Sequence, residues 1–159
     1  MTDLHPNSAR VAAALRDGGA RGEVRQLDTS TRTAQEAADA LGVPVGAIVK
    51  SLVFSADGTP VLVLASGDHQ VDTGKVARAL TAGAVTRADA DTVRAATGFP
   101  IGGVAPVAHP QPLRTIVDRH LATYDVLWAA AGTPHSVFPT SYDELVGLTG
   151  GDPADVAAS

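Results

Sequence analysis

Apolar residues recur at helical spacing in five stretches of the chain, and between them they cluster or alternate as strands do. The first helix is predicted to start near Asn7 or Ser8, to carry Val11, Ala14 and Leu15, and to stop at Gly18-Gly19. A short strand over 23–27 follows. Thr33 and Glu36 stand at capping-box spacing, and Ala37, Ala38 and Leu41 follow before Gly42 and Pro44 end that helix. From Ala47 to Phe54 the chain turns β-branched and apolar; Asp57-Gly58 is a hairpin turn signal, and Val61 to Ala65 reads as the return strand.

Asp72 is the predicted N-cap of a helix through Val76, Ala79 and Leu80, and Asp89 of another through Val93 to Thr97, with Gly98 as its stop. The glycines and prolines between Gly98 and Pro112 break regular structure, while the apolar side chains among them predict partial burial. Strands are expected at Leu113 to Val117 and Val126 to Ala130. Ser141 and Glu144 form a second capping box for a helix carrying Leu145 and Leu148. Strands and helices alternate irregularly, with one tight hairpin and no repeat. That pattern predicts a single α/β (α+β) domain, a mixed sheet with helices packed around it, over residues 1–151. Residues 152–159 read as a short tail, small and polar enough to fray.

Length and composition narrow the function. A chain of 159 residues can bury roughly two-thirds of its unfolded surface, so folding needs no disulfide or metal. The absence of cysteine excludes thiolate nucleophiles, Fe–S clusters and sulfur-ligated zinc. Aromatics at 4% leave little material for stacking single-stranded nucleic acid, and a net charge of −5 disfavours a broad grip on DNA. No apolar run is long enough to span a bilayer, and the start, Met1 to His5, has no signal-peptide pattern, so the expected location is the cytoplasm without membrane partners.

Familiar catalytic motifs are missing. No serine sits in a Gly-x-Ser-x-Gly elbow, and Gly74-Lys75 is followed by Val76 where a P-loop needs Ser or Thr. His5, His69, His109, His120 and His135 show no metal-ligand spacing, which leaves only a site assembled from distant residues. Asp89 and Asp91 read as helix N-terminal charge.

Two features stand out. Lys50 is one of two lysines against ten arginines, and alternation points it the same way as Leu52 and Phe54. It is either a strand-end lysine with its ammonium in water or a fixed cation lining a cleft for a phosphate or carboxylate. Lys75, on an amphipathic helix, reads as a surface charge. The second feature is Gly102-Gly103-Val104-Ala105-Pro106: paired glycines let backbone N–H groups approach a ligand as an oxyanion hole, or merely permit unusual dihedrals in a stiff connector.

In order and spacing, Ile48-Val-Lys-Ser-Leu-Val-Phe54, Asp72-Thr-Gly-Lys-Val-Ala-Arg-Ala-Leu80, Ala96-Thr-Gly-Phe99, Gly102-Gly-Val-Ala-Pro106 and the segment from Val126 to Leu148 resemble the YbaK/EbsC family. These are freestanding aminoacyl-tRNA deacylases related to the editing domain of bacterial prolyl-tRNA synthetases. The resemblance implies a mixed, partly barrel-like sheet surrounded by helices, and hydrolysis of the ester of a misacylated tRNA, Cys-tRNA(Pro) or Ala-tRNA(Pro). It implies substrate-assisted chemistry without cofactor, metal or nucleophilic side chain, and binding of the tRNA 3′ end. It places Lys50, Gly102 and Gly103 in catalytic roles, and Thr97, Gly98, Val104, Ala105, Pro106, Gly132 and His135 around the substrate.

The match has departures. Ala105 stands where members often have serine, and Val137 falls near an expected acidic residue, in a region that borders the amino-acid pocket. A noncatalytic module binding a nucleotide or tRNA end is therefore the alternative. With so acidic a chain, tRNA is held through clustered arginines, for which Arg25, Arg32, Arg87, Arg94 and Arg114 are candidates, or is selected with a prolyl-tRNA synthetase or elongation-factor partner. Oligomeric state is not readable from the sequence.

Overall fold

The helices begin where side-chain caps place them. The computed structural model describes residues 4–158, so the readings of Met1–Asp3 and of Ser159 lie outside the described residues. Helix α1 (Pro6–Asp17) starts one residue before the expected Asn7, because His5 accepts the Asn7 N–H and Pro6 fits the first turn, where no N–H is needed. Ser8 is instead buried, donating to the Ala131 carbonyl at 2.8 Å. The hydroxyl of Thr33 accepts the Glu36 N–H to open α2 (Ala34–Leu41). Asp72 caps α3 (Thr73–Leu80), Asp89 caps α4 (Ala90–Thr97) and Ser141 caps α5 (Tyr142–Thr149), as their spacing predicts.

Eight strands form one mixed sheet: β1 (Arg25–Gln26), β2 (Ile48–Ala56), β3 (Thr59–Ser66), β4 (Val85–Arg87), β5 (Arg114–Asp118), β6 (Leu127–Ala130), β7 (Ser136–Thr140) and β8 (Asp152–Ala154). Their order is β1-β7-β6-β2-β3-β5-β8, with β4 branching from β2. The central hairpin of β2 and β3 turns at Asp57 (φ 50°) and Gly58 (φ 89°), both left-handed, which matches the strands' twist. β3 runs parallel to β5, and β5 parallel to β8. The expected strand over 23–27 contracts to two residues paired with β7. No helix among the described residues is long and apolar enough to cross a membrane.

Both faces of the hairpin are buried. Val49, Val53, Leu62 and Leu64 enter one cluster with Val11, Leu15 and Leu145, while Phe54, Val61, Val63 and Ala65 enter another beneath Val76 and Leu80 of α3. A third cluster seats Ala37 and Ala38 of α2 on Ile48, Trp128 and Val137. These alternations turn one strand pair into the wall between two cores.

Residues 152–158 are tied to the sheet. β8 pairs with the edge of β5, Val156 is 0% exposed, and the backbone of Asp72 donates to the Val156 carbonyl. Lys75 is not a free surface charge either: its ammonium binds Asp155 at 3.0 Å and the Ala157 carbonyl at 2.7 Å, tying α3 to this tail. A buried valine and a covered strand edge outweigh the low intrinsic order of a small, polar segment.

Candidate functional site

A break in strand pairing creates the site. Along one edge of β2, Ile48 and Val49 pair with β6, and Phe54 to Ala56 pair with β4. Between those partners the Val53 carbonyl accepts the Ala88 N–H, and Lys50, Ser51 and Leu52 meet no neighbouring strand on that edge among the described residues. A cleft of about 380 Å³ opens there, lined by residues 49–53, by Arg87 and Ala88, by the end of β6, and by Arg32, Gly102 and Val104. An unpaired strand edge in a cleft offers backbone donors and acceptors to a ligand as well as side chains.

The cleft is cationic in an acidic chain. Lys50, Arg32 and Arg87 line it, and no aspartate, glutamate, histidine or cysteine does so among the described residues. Arg32 and Arg87 are exposed at its rim and enter no ion pair among those residues. The Arg87 guanidinium lies 5.8 Å from the Phe54 ring centroid, which orients it without neutralising it. Lys50 is half-buried, and its ammonium donates to the His69 carbonyl. Burial lowers its pKa, Arg87 lowers it further, and Asp68 and Asp118 pull the other way.

The remaining wall is apolar, with Ile48, Trp128, Ala37 and Val137 packed around it. Arg25 covers Trp128 from outside the cleft lining, its guanidinium carbon 5.0 Å from the ring centroid. Ser51 Oγ is buried without a hydrogen-bond partner among the described residues, whereas the hydroxyl of Thr31 is spent on the Pro134 carbonyl and that of Thr33 on the cap of α2.

The glycine loop enters at one point. Gly102 has φ +89°, and a Cβ there would stand 2.6 Å from Arg32 Cγ, so only glycine lets the arginine stem lie across the loop. The N–H groups of Gly102 and Val104 have no acceptor among the described residues, but Gly103 donates its N–H to the Pro100 carbonyl at 3.0 Å. A Cβ on Gly103 would meet the Thr133 backbone at 3.0 Å, so its small size serves packing. The paired-glycine expectation therefore divides: Gly102 lines the cleft, and Gly103 braces the loop behind it.

The other expected substrate contacts fall outside the cleft lining. The hydroxyl of buried Thr97 donates to the Val93 carbonyl at 2.7 Å and accepts the Phe99 N–H at 3.1 Å, and Gly98 ends α4 at φ +79°. Ala105 and Pro106 are buried in the loop, where the Ala105 carbonyl lies 2.8 Å from Nε2 of His109. Burial lowers the pKa of His109, the Ala105 bond opposing it, so the neutral ring holds the loop. Gly132 packs against the Asn7 backbone, where a Cβ would come to 2.9 Å. His135 is exposed, its N–H bonded to Thr133 Oγ1 within its own turn.

Of the candidate arginines, Arg32 and Arg87 reach the cleft, whereas Arg94 is exposed on α4 and Arg114 bonds the Leu80 carbonyl and Asp152. Sequence reasoning missed Trp128, Thr31 and Ile101: Trp128 lies inside a predicted strand, and Thr31 and Ile101 lie next to predicted helix ends, positions that do not say which elements meet.

The family profile described as aminoacyl-tRNA editing domain matches residues 28–148. A solved structure described as a candidate trans-editing enzyme for prolyl tRNA synthetase superposes with a TM-score of 0.92 at 43% identity, covering 99% of this chain and 100% of that one. The uncharacterized protein YwhH of Bacillus subtilis is 30% identical over 77% of this chain and 78% of its own. Proline–tRNA ligase of Desulfovibrio desulfuricans is 36% identical over 74% of this chain, which spans 21% of the ligase's length. The chain belongs to the aminoacyl-tRNA editing domain family.

Proposed function

We propose that this editing-domain protein is a hydrolase acting in trans on misacylated tRNA, with Cys-tRNA(Pro) or Ala-tRNA(Pro) as its substrate. The observation that carries the reading is the cleft at the open edge of β2, where three cations converge without a carboxylate. Such a site suits a polyanion's end, and the apolar wall of Ile48, Val137 and Trp128 suits a short, uncharged side chain.

In this reading Lys50 holds the 3′-terminal nucleotide through its phosphate or the ester carbonyl, and Arg32 and Arg87 meet the backbone phosphates. The Gly102 and Val104 amides stabilise the oxyanion, a role that Gly103 cannot share while its N–H is bound to Pro100. With no carboxylate, imidazole or thiol in the lining among the described residues, and Lys50 engaged as a cation, the free ribose hydroxyl beside the ester carries the proton. Water attacks the carbonyl carbon, the bond from that carbon to the ribose oxygen breaks, and the water's proton passes through the neighbouring hydroxyl to that oxygen. The products are the free amino acid and a tRNA with an intact terminal diol. Fixed positioning contributes several kcal/mol to such a reaction without a protein base. Thr97, Gly98, Ala105, Pro106, Gly132 and His135 act by shaping the loop and the turn.

One observation favours a second reading, a noncatalytic module that binds the tRNA end: Val137, near the acidic position of the family pattern, is an apolar wall residue at 3% exposure. Deacylation of tRNA charged separately with cysteine, alanine, serine or proline, in EDTA, decides between the two. The expected result is loss of one noncognate ester by the wild type, nearly abolished in a folded Lys50→Ala variant. Four stable esters with retained binding of the tRNA end would establish the binding module instead. Full turnover by folded Lys50→Ala would remove Lys50 from the mechanism.

A further inference from the structure

Outside the cleft lining, two turns bring together side chains that the sequence keeps far apart. Asp68 and His69 follow β3, Asp118 closes β5, and His120 lies in the turn of 3-10 helix over Arg119–Thr123. Asp118 is 1% exposed and accepts the Ser66 N–H, the His120 N–H and the Nδ1–H of His69, the last at 2.9 Å. In the neutral ring that bond takes the Nδ1 proton and leaves the lone pair on Nε2. Nε2 of His69 lies 3.8 Å from one Asp68 carboxylate oxygen, and Nε2 of His120 lies 3.7 Å from the other. Neither distance is a hydrogen bond, and His120 Nε2 is buried with no hydrogen-bond partner among the described residues. Ser66 Oγ donates to Asp68 at 2.7 Å and fixes the carboxylate.

Two imidazole nitrogens and a carboxylate oxygen that face one another without bonding are a ligand set. All three ligand atoms lie within 4.8 Å of one another. A tetrahedral ion with bonds of about 2.0–2.2 Å holds its ligands about 3.4 Å apart; the two rings are stacked with centroids 4.3 Å apart and planes 32° from parallel, so closure turns their Nε2 edges toward a common point. Imidazole donors select a borderline transition ion over calcium or magnesium, which favour oxygen ligands. His69 also has its support, since the Asp118 carboxylate on its far nitrogen is the usual orienting contact of a ligating histidine.

We propose that Asp68, His69 and His120 bind one divalent first-row transition ion, zinc by donor set, with a fourth position open to water. The ion cross-links the turn after β3 to the turn after β5. His69 is also the residue whose carbonyl receives the Lys50 ammonium, so the ion clamps the segment that holds Lys50. This proposal stands whether or not the cleft hydrolyses an ester.

The test is calorimetric titration of chelator-stripped full-length protein with Zn²⁺, for the wild type and for Asp68→Asn, His120→Gln and His135→Ala. The Asp68 side chain is 39% exposed, so Asp68→Asn is expected to fold normally, which far-UV circular dichroism checks. The expected result is one ion per chain, at least tenfold weaker binding in Asp68→Asn and His120→Gln, and no change in His135→Ala. Asp118→Asn is expected to weaken binding about 10–100-fold through His69. No zinc binding by the wild type at sub-millimolar concentration would overturn the proposal. So would binding that survives both ligand variants, which would place the ion on unrelated surface histidines.

Discussion

The Lys50 ammonium is fixed by the main-chain carbonyl of His69, 19 residues further along the chain. A carbonyl acceptor restrains the ammonium without cancelling its charge, which a carboxylate would do. Lys50 therefore stays available to an anion, placed between Arg87 on the cleft side and the acidic pair of Asp68 and Asp118.

Lys50 is expected to titrate below the ordinary lysine value of 10.5, because burial and Arg87 both disfavour its charge. Affinity for adenosine 5′-monophosphate, a probe of the terminal nucleotide, should fall as pH rises through that lowered value. Lys50→Arg should flatten the profile, since arginine stays charged. The linkage to stability has a definite sign. Between the lowered value and 10.5 the unfolded chain holds the proton and the folded chain does not, so this group's contribution to stability rises with pH there. A binding profile that is level up to pH 10.5 would contradict the lowered value.

Arg32→Ala and Arg87→Ala should each weaken binding of the same probe about tenfold, the loss of one charged hydrogen bond. Both residues are exposed, so melting temperatures should move little. Raising the salt concentration should narrow the gap between variants and wild type, because rim charges are screened. Fluorescence of the cleft's Trp128 offers a direct readout.

Gly102→Ala and Gly98→Ala should separate strain from function. Both glycines sit at positive φ, so each substitution should cost about 1–2 kcal/mol of stability, read from urea midpoints. At Gly98 an added Cβ meets only ordinary contacts, at 3.5 Å and beyond, whereas at Gly102 it meets Arg32 Cγ at 2.6 Å. Only Gly102→Ala should therefore impair probe binding and turnover, by displacing Arg32 from the rim.

Val156→Ala should destabilise the fold by about 2 kcal/mol, the scale for a buried valine. Ending the chain after Gly151 should cost more, because it also uncovers the edge of β5 and frees Lys75 from Asp155 and Ala157. Chemical denaturation of the two proteins beside the wild type checks both. A truncated chain with wild-type stability would return the tail to the role its composition predicts.

What could be read from the sequence was local. Thr33 with Glu36, Asp72, Asp89 and Ser141 with Glu144 announce helix starts through contacts within one turn, and Asp57-Gly58 announces the hairpin through its own dihedrals. Lys50 and Gly102 stood out in the sequence as a lone lysine in an apolar strand and a glycine pair in a loop, but their roles there came only from the family resemblance. The short strands β4, β7 and β8 were not legible. Three to five residues, with Pro139 in β7 and Pro153 in β8, carry little intrinsic preference and become strands only because β2, β6 and β5 offer them partners. The same limit governs the sites. Which of ten arginines reach the cleft, which glycine keeps its N–H free, and that His69 and His120 face one carboxylate are all matters of long-range packing. Local preferences are spent within a turn of helix or a hairpin, whereas the cleft exists because β2 meets two partners along one edge and leaves three residues between them unpaired.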